Sequence, residues 1–483
     1  MAEIAEALPA TPGGSATRLI ERALSRAGGT PLVEGNAIDL LIDARQNFDA
    51  WLASIRAAKK CILFENYIFT SDRIGHEFRD ALSERAANGV KVHVIYDWLG
   101  SFGNHKRAFW KPLGASGAQV RVYNPPRIDS PLGWMSRNHR KMIVVDGNVG
   151  YVSGICIDEK WLGRPEKNIA PWRDTGVVLR GPACRDMAQA FASNWAALGS
   201  PLTPDETNPE MAGDVALRVI ATQPRSAGIF RTDQLIAAMA RKSLWITDAY
   251  FVGLAPYVQA LAAAAVDGVD VRLLVPGTSD LKLVAHMSHA GYRPLLESGV
   301  RVFEWNGPML HAKTAVADRL WARVGSSNMN VSSWFANAEI DVAVEDECFA
   351  DCLANQYETD LQNATEIVLS NRRVSRTSSA PRSRRPKRGA GSTSRAAAGT
   401  LRLVNTVGAA LGNKRVLGRS EAGILLGAAV ILIALAFVAV IWPRVLAWPF
   451  ALIVLLIGFN LLAAYLRTRN RKGQDATKVK KTP

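Results

Sequence analysis

The chain has 483 residues, 48% of them hydrophobic, with 58 lysines and arginines against 43 aspartates and glutamates. That excludes a wholly disordered protein and leaves room for two or three domains. The charge is unevenly spread: residues 371–483 hold 21 basic and two acidic residues, so the first 370 carry a net −4, unlike the basic body of a nucleic-acid enzyme. In chain order, residues 1–26 are small and helical-leaning and are expected to be loosely held, with no signal peptide. Two similar halves follow, 27–210 and 211–369, each predicted to alternate strands with helices. Residues 370–420 are rich in Arg, Ser, Pro and Ala and read as a basic, largely disordered tether.

Beyond the tether, 421–467 reads as a transmembrane hairpin. Its two uncharged runs, 424–442 and 445–466, are each near the length a helix needs to cross a bilayer, and Pro443 and Arg444 separate them. A basic tail, 468–483, closes the chain. Basic residues flank the hairpin on both sides, which predicts a multi-pass membrane protein with the folded body and both hairpin flanks on the cytoplasmic side. The five cysteines, at 61, 156, 184, 348 and 352, form no disulfide framework, and no histidine or second cysteine pair completes a zinc site around Cys348 and Cys352. No metal or other cofactor is expected.

Within the body one pattern occurs twice. An apolar strand from Cys61, a helical stretch and a β-branched strand ending at Asp97 are repeated by a strand from Leu244, a helix over 256–266 and a strand ending at Val275. These are βαβ units about 180 residues apart, the mark of a duplicated α/β domain. Each half then carries His-x-Lys-x4-Asp: His139, Lys141 and Asp146 in the first, His311, Lys313 and Asp318 in the second. Histidine and lysine at i and i+2 share one face of a strand. Asp146 and Asp318 fall at tight turns. Folding back there brings 154–156 opposite His139 and 326–328 opposite His311. A histidine, an ammonium and neutral donors together suit a phosphate group.

This arrangement resembles the phospholipase D superfamily, whose HKD motif occurs twice in a pseudo-dimer with one active site between the halves. Arg137-Asn-His-Arg-Lys141, Trp172-Arg-Asp174-Thr-Gly and Tyr250-Phe251 look more closely like bacterial cardiolipin synthases, and the resemblance spans about 35–361. It implies a covalent mechanism without metal, His139 as nucleophile and His311 as acid and then base. Lys141, Lys313, Ser326 and Asn328 would hold the phosphate oxygens. Asp174 and Glu339 would bond the far nitrogens of the histidines, which leaves Asp146 and Asp318, the last members of the motif, to stabilise their turns. One departure is Cys156, which stands where the family has asparagine in the first half.

The function implied is transfer between two phosphatidylglycerols to give cardiolipin and glycerol. The alternatives are hydrolysis of glycerophospholipids to phosphatidic acid, a phosphodiester nuclease and an inactive membrane scaffold. Phosphatidylglycerol, other anionic phospholipids and the membrane are the expected partners, and nucleic acid is not.

Overall fold

The computed structural model describes residues 14–103, 107–126, 136–202 and 209–369, together with 455, 456, 458 and 459. Apart from those last four, which are helical, the expected tether, hairpin and tail lie outside the described residues. Among the described residues no helix is long and apolar enough to cross a membrane.

The first half contributes strands β1 (Val33–Ile42), β2 (Cys61–Asn66), β3 (Lys91–Asp97), β4 (Gln119–Tyr123), β5 (Met142–Val145), β6 (Val149–Ser153) and β7 (Thr175–Arg180). The second contributes β8 (Val215–Thr222), β9 (Ser243–Thr247), β10 (Asp270–Pro276), β11 (Arg301–Trp305), β12 (Thr314–Ala317), β13 (Trp321–Gly325), β14 (Glu339–Glu345) and β15 (Ala364–Ile367). The sequence predicts two sheets; the described strands form one, in the order β15-β11-β10-β9-β12-β13-β14-β8-β1-β7-β6-β5-β2-β3-β4. Read outward from the antiparallel β1–β8 junction, each half repeats the same order, with only β15 added at one edge. The β2–β3–β4 and β9–β10–β11 ribbons are parallel, as βαβ units require.

Alternation of side chains divides the core by face. In β5, Met142 and Val144 enter a central cluster while Ile143 and Val145 enter the outer cluster of the first half. Helices α2 (Asp43–Ala57), α3 (Arg73–Ala87) and α4 (Arg107–Ala115) belong to that outer side. On the other face α5 (Cys184–Ala197) and α9 (Glu347–Leu361) bury Phe191, Trp195, Phe349 and Tyr357 against strands of both halves. The second half covers its outer face with α6 (Gly228–Met239), α7 (Ala255–Val266) and α8 (Lys282–Glu297).

Residues 14–26, expected to be loose, are instead part of helix α1 (Gly14–Gly28), which packs on α6. Leu24 is buried in the second half's outer core, Glu21 pairs with Arg218, and Arg231 donates to the Ala27 carbonyl. The sequence signal was there in the amphipathic spacing of Ile20 and Leu24, but its partner lies 200 residues away.

The hairpins that carry the motifs turn sharply. Asp146 and Gly147 have φ of +53° and +73°, and Asp318 and Arg319 have +54° and +57°, the doubly left-handed geometry of a type I′ turn. Arginine is an unusual choice there; its guanidinium is held by Asp351 and Glu358 of α9.

Candidate active site

Each motif histidine is fixed by a backbone bridge to the opposite half. Asn138 bridges Ala338, with His139 N–H donating to the Ala338 carbonyl and Ala338 N–H to that of Arg137. Arg173 bridges Leu310, with His311 N–H donating to the Arg173 carbonyl. In each bridge the residue just before a histidine pairs with the residue just before the other half's carboxylate. The side chains meet accordingly: His139 Nδ1 lies 2.9 Å from Glu339 Oε2, and His311 Nδ1 lies 2.8 Å from Asp174 Oδ2. The carboxylates named from sequence are therefore present and exchanged between the halves.

Charge sets the protonation. Burial pushes Asp174 and Glu339 up, but His311 and Lys313 beside the first, and His139 and Lys141 beside the second, hold both carboxyls below the usual range. Burial lowers His139, reinforced by Lys141 and opposed by Glu339. Burial and the Lys313 ammonium take His311 down to about 3. Both rings are therefore neutral and both carboxylates ionised, so each Nδ1–H donates to its carboxylate and each Nε2 keeps its lone pair. Lys313 Nζ stands 3.0 Å from His311 Nδ1, but two donors cannot bond each other, and the ammonium donates to the His311 carbonyl. Lys141 Nζ donates to the His139 carbonyl at 2.6 Å. Burial lowers both lysines, Lys313 to about 8.

The two carboxylates are supported differently. Ser326, expected to bind phosphate, instead donates to Glu339 Oε2 at 2.6 Å and receives the Ile340 N–H. The position equivalent to Ser326 in the first half is Gly154, where a Cβ would stand 2.4 Å from Asp174 Oδ1. Asp174 gains its donor from Trp161, whose indole Nε1–H reaches Oδ2 at 3.0 Å while the ring stands at 90° to His311, centroids 5.3 Å apart. Trp161 sits in the 156–174 segment, longer than the matching 328–339 of the second half.

Two buried arginines, which sequence reasoning passed over, join the halves. Arg140 donates to the carbonyls of Glu339, Ala190 and Thr222. Arg173 grips both oxygens of Asp360 on α9, at 2.9 and 2.8 Å, and reaches Asp43 and Thr175. Their signal was position alone, one inside the first motif and one beside Asp174.

Asp146 and Asp318 are not brought into the site. Asp146 accepts from the backbone N–H groups of Lys59, Lys60 and Cys61, and Asp318 from those of Arg241, Lys242 and Ser243. Each lies at the far end of its strand from the histidine. Glu65 and Asp248 are strand-end carboxylates: Glu65 Oε1 accepts from Asn138 and Asn194 while its Oε2 lies 3.9 Å from the Arg140 guanidinium, and Asp248 accepts from the N–H groups of Tyr250 and Met329.

The remaining site residues converge on one cavity of about 470 Å³ lined by both histidines, Lys141, Cys156, Asn328 and the tyrosines Tyr67 and Tyr250. The tyrosine rings stand edge-on to His139 and His311, with centroids 4.9 and 5.7 Å away. Lys313 lies behind, its ammonium 5.7 Å from the Tyr250 ring. Two imidazoles with free Nε2 atoms and the Lys141 ammonium meet at one space, where one ring can attack a phosphodiester, the other, once protonated, can give its proton to the leaving group, and the ammonium can neutralise the oxygens.

Comparisons with known proteins bear on the family of the chain. The family model described as "Cardiolipin synthase, PLD-like domain" matches residues 51–195 and 234–362. Cardiolipin synthase A of Pseudomonas aeruginosa is 34% identical over 363 residues, covering 73% of this chain and 72% of the relative. Cardiolipin synthase of Halalkalibacterium halodurans is 31% identical over 366 residues, with the same coverage. Among solved structures, phosphatidylserine synthase of Haemophilus influenzae superposes with a TM-score of 0.57 at 15% identity, covering 72% of this chain and 92% of that one, a likeness of fold. With the family model on both halves and relatives above 30% identity over most of its length, the chain belongs to the phospholipase D-like cardiolipin synthase family.

Proposed function

We propose that this chain is a phosphatidyltransferase that joins two phosphatidylglycerols into cardiolipin and releases glycerol. The observation that carries the reading is the pair of crossed histidine–carboxylate dyads opening on one cavity with Lys141 and Lys313 beside them. The curated relatives bear the same name over most of the chain.

His139 Nε2 attacks phosphorus, and the bond from phosphorus to the glycerol oxygen breaks. That oxygen takes the proton of His311 Nε2–H, leaving a phosphatidyl-histidine and a neutral His311. A hydroxyl of the second phosphatidylglycerol then attacks phosphorus, giving its proton to His311 as the bond to His139 breaks. We assign attack to His139 because its side chain is the more open, 12% exposed against 6% for His311. His311 must be protonated for the first step, and burial and Lys313 oppose this. An anionic phosphodiester entering the cavity raises its pKa and supplies the missing balance. Lys141 and Asn328 face the phosphate oxygens, with the Lys313 charge behind His311; Asp174 and Glu339 hold the tautomers.

The substrates place the enzyme at a membrane surface. The charge pattern of 370–483 supports a hairpin anchor over 421–467 and a catalytic body on the cytoplasmic side. The test is product analysis: purified protein in detergent–lipid micelles with phosphatidylglycerol labelled in its head group. Cardiolipin with free glycerol is expected. Phosphatidic acid as the main product would make the protein a hydrolase.

A further inference from the structure

Apolar side chains stand exposed around the mouth of the catalytic cavity, and both halves supply them from equivalent connections. The connections after β3 and β10, matching strands in the repeated order, bring Leu99 and Leu281 to the cavity lining. Phe102 donates its N–H to the Leu99 carbonyl in the same turn. Met287 stands one helical turn beyond the lining residue Val284 on α8. The connections after β6 and β13 match as well. In sequence they place Ile169 between the lining residues Trp161 and Trp172, and Val331 between Asn330 and Ser332. These six side chains are between 38% and 63% exposed. A lone exposed apolar residue is ordinary, and the chain has others, such as Leu320 beside the Arg319 turn and Val266 at the end of α7. Six around one opening mark an interaction surface.

We propose that this rim is a docking surface for a lipid bilayer, and that it sets the cavity mouth against the bilayer while substrate is taken up. The inference rests on the reading that the cavity takes phosphatidylglycerol. A volume of about 470 Å³ suits a phosphodiester and its polar head. The acyl chains of the same lipid stay outside, and they keep clear of water only if the mouth meets the bilayer itself. Apolar side chains around that mouth lie shallowly among head groups and the first acyl segments, which removes their own surface from water. A tether raises the local concentration of the body but fixes no orientation. The rim fixes it, turning both histidines toward the lipid.

The experiment uses the full chain reconstituted in phosphatidylcholine vesicles and offers phosphatidylglycerol in two forms. One is a long-chain lipid within the same bilayer; the other is a water-soluble short-chain lipid kept below its micelle concentration. Glycerol release is read as kcat/KM for each. Phe102 and Val331 do not line the cavity. Phe102→Ser combined with Val331→Ser is expected to lower use of the bilayer lipid about 10- to 100-fold, the scale of burying two part-exposed apolar side chains, and to leave use of the soluble lipid within about twofold. Val266→Ser, where the chain enters β10 at the end away from the cavity, should change neither. Equal loss on both lipids, no loss on the bilayer lipid, or a like loss in Val266→Ser would overturn the proposal. If the double variant does not fold, Met287→Ser decides, with a loss of at least about threefold confined to the bilayer lipid expected and its absence contradicting the rim. Phosphatidic acid in place of cardiolipin would fail the transferase reading and leave the ratio of the two lipids to judge the rim alone. Turnover of neither lipid by the wild type would overturn both.

Discussion

Asp174 and His311 are 137 residues apart in the chain and 2.8 Å apart in space, and the contact crosses from the first half to the second. Glu339 and His139 make the reciprocal crossing. Neither half alone holds a complete dyad, so the continuous sheet through β1 and β8 is a condition for the chemistry as well as for the fold.

Replacing Asp174 with Asn removes the acceptor that keeps the His311 proton on Nδ1. Asp174→Asn is expected to lower kcat about 10²- to 10⁴-fold with little change in KM, by loss of the tautomer. Glu339→Gln is expected to do the same through His139. Steady-state kinetics with phosphatidylglycerol check both, and a loss under tenfold in either would remove that carboxylate from the mechanism.

The first supporting donor to test is Trp161. Trp161→Phe keeps a ring against His311 and deletes the indole N–H to Asp174. A hydrogen bond to a charged group contributes about 1.5–3 kcal/mol, so kcat should fall roughly 10- to 100-fold. Ser326→Ala, which deletes the corresponding donor to Glu339, should fall by a similar factor. Equal thermal transitions for wild type and variants would confine both effects to the site.

Gly154 tests the packing of the same carboxylate. A Cβ there would meet Asp174 Oδ1 at 2.4 Å, so Gly154→Ala must displace the oxygen that orients His311 or shift the strand. Activity is expected to fall at least about 100-fold, since a misplacement of 1 Å is enough for such a loss. Near-wild-type turnover would show that the carboxylate has room to move.

Lys313 sets one component of the alkaline limb of the pH profile, beside His311, which must carry a proton in the bound complex. Burial lowers its folded-state pKa to about 8, so the ammonium is present below that pH and lost above it. Turnover should therefore decline as pH rises through about 8. His139, lowered by burial, stays neutral at neutral pH and places the acid limb below 6.5. Lys313→Arg, whose charge does not titrate, should lose the component of the alkaline limb near pH 8 in whatever activity remains. A profile flat to pH 10 in the wild type would exclude Lys313 as the charge that matters.

Asp146 and Asp318 carry a different expectation. Each accepts backbone N–H groups at a type I′ turn. At about 1 kcal/mol per hydrogen bond, Asp146→Ala should cost about 2–3 kcal/mol of stability and lower the thermal midpoint. Turnover per folded molecule should stay near that of the wild type. Loss of turnover at unchanged stability would return Asp146 to the catalytic group.

The sequence makes the chemistry more legible than its assembly. His139, Lys141, His311 and Lys313 follow from a repeated spacing, and the carboxylates Asp174 and Glu339 from the family they resemble. Which carboxylate serves which histidine depends on bridges between residues 137 and 200 positions apart, which no local pattern encodes. Ser326 was expected at the phosphate because it is small and polar beside His311; its hydroxyl turns to Glu339, a partner set by β13–β14 pairing. Arg140 and Arg173 have no role in a linear reading beyond their places beside His139 and Asp174, and only burial against distant carbonyls and Asp360 reveals them as struts. Trp161 is buried, and only the folded chain shows that its N–H is aimed at Asp174.

The most direct test of the two-histidine site is turnover of phosphatidylglycerol by the wild type, His139→Ala and His311→Ala, following cardiolipin and glycerol together. Equal amounts of the two products are expected from the wild type. Each variant should lose at least about 10⁴-fold, the scale on which single members of such a catalytic unit fail. Cardiolipin formation surviving within tenfold in either variant would contradict a mechanism that needs both histidines.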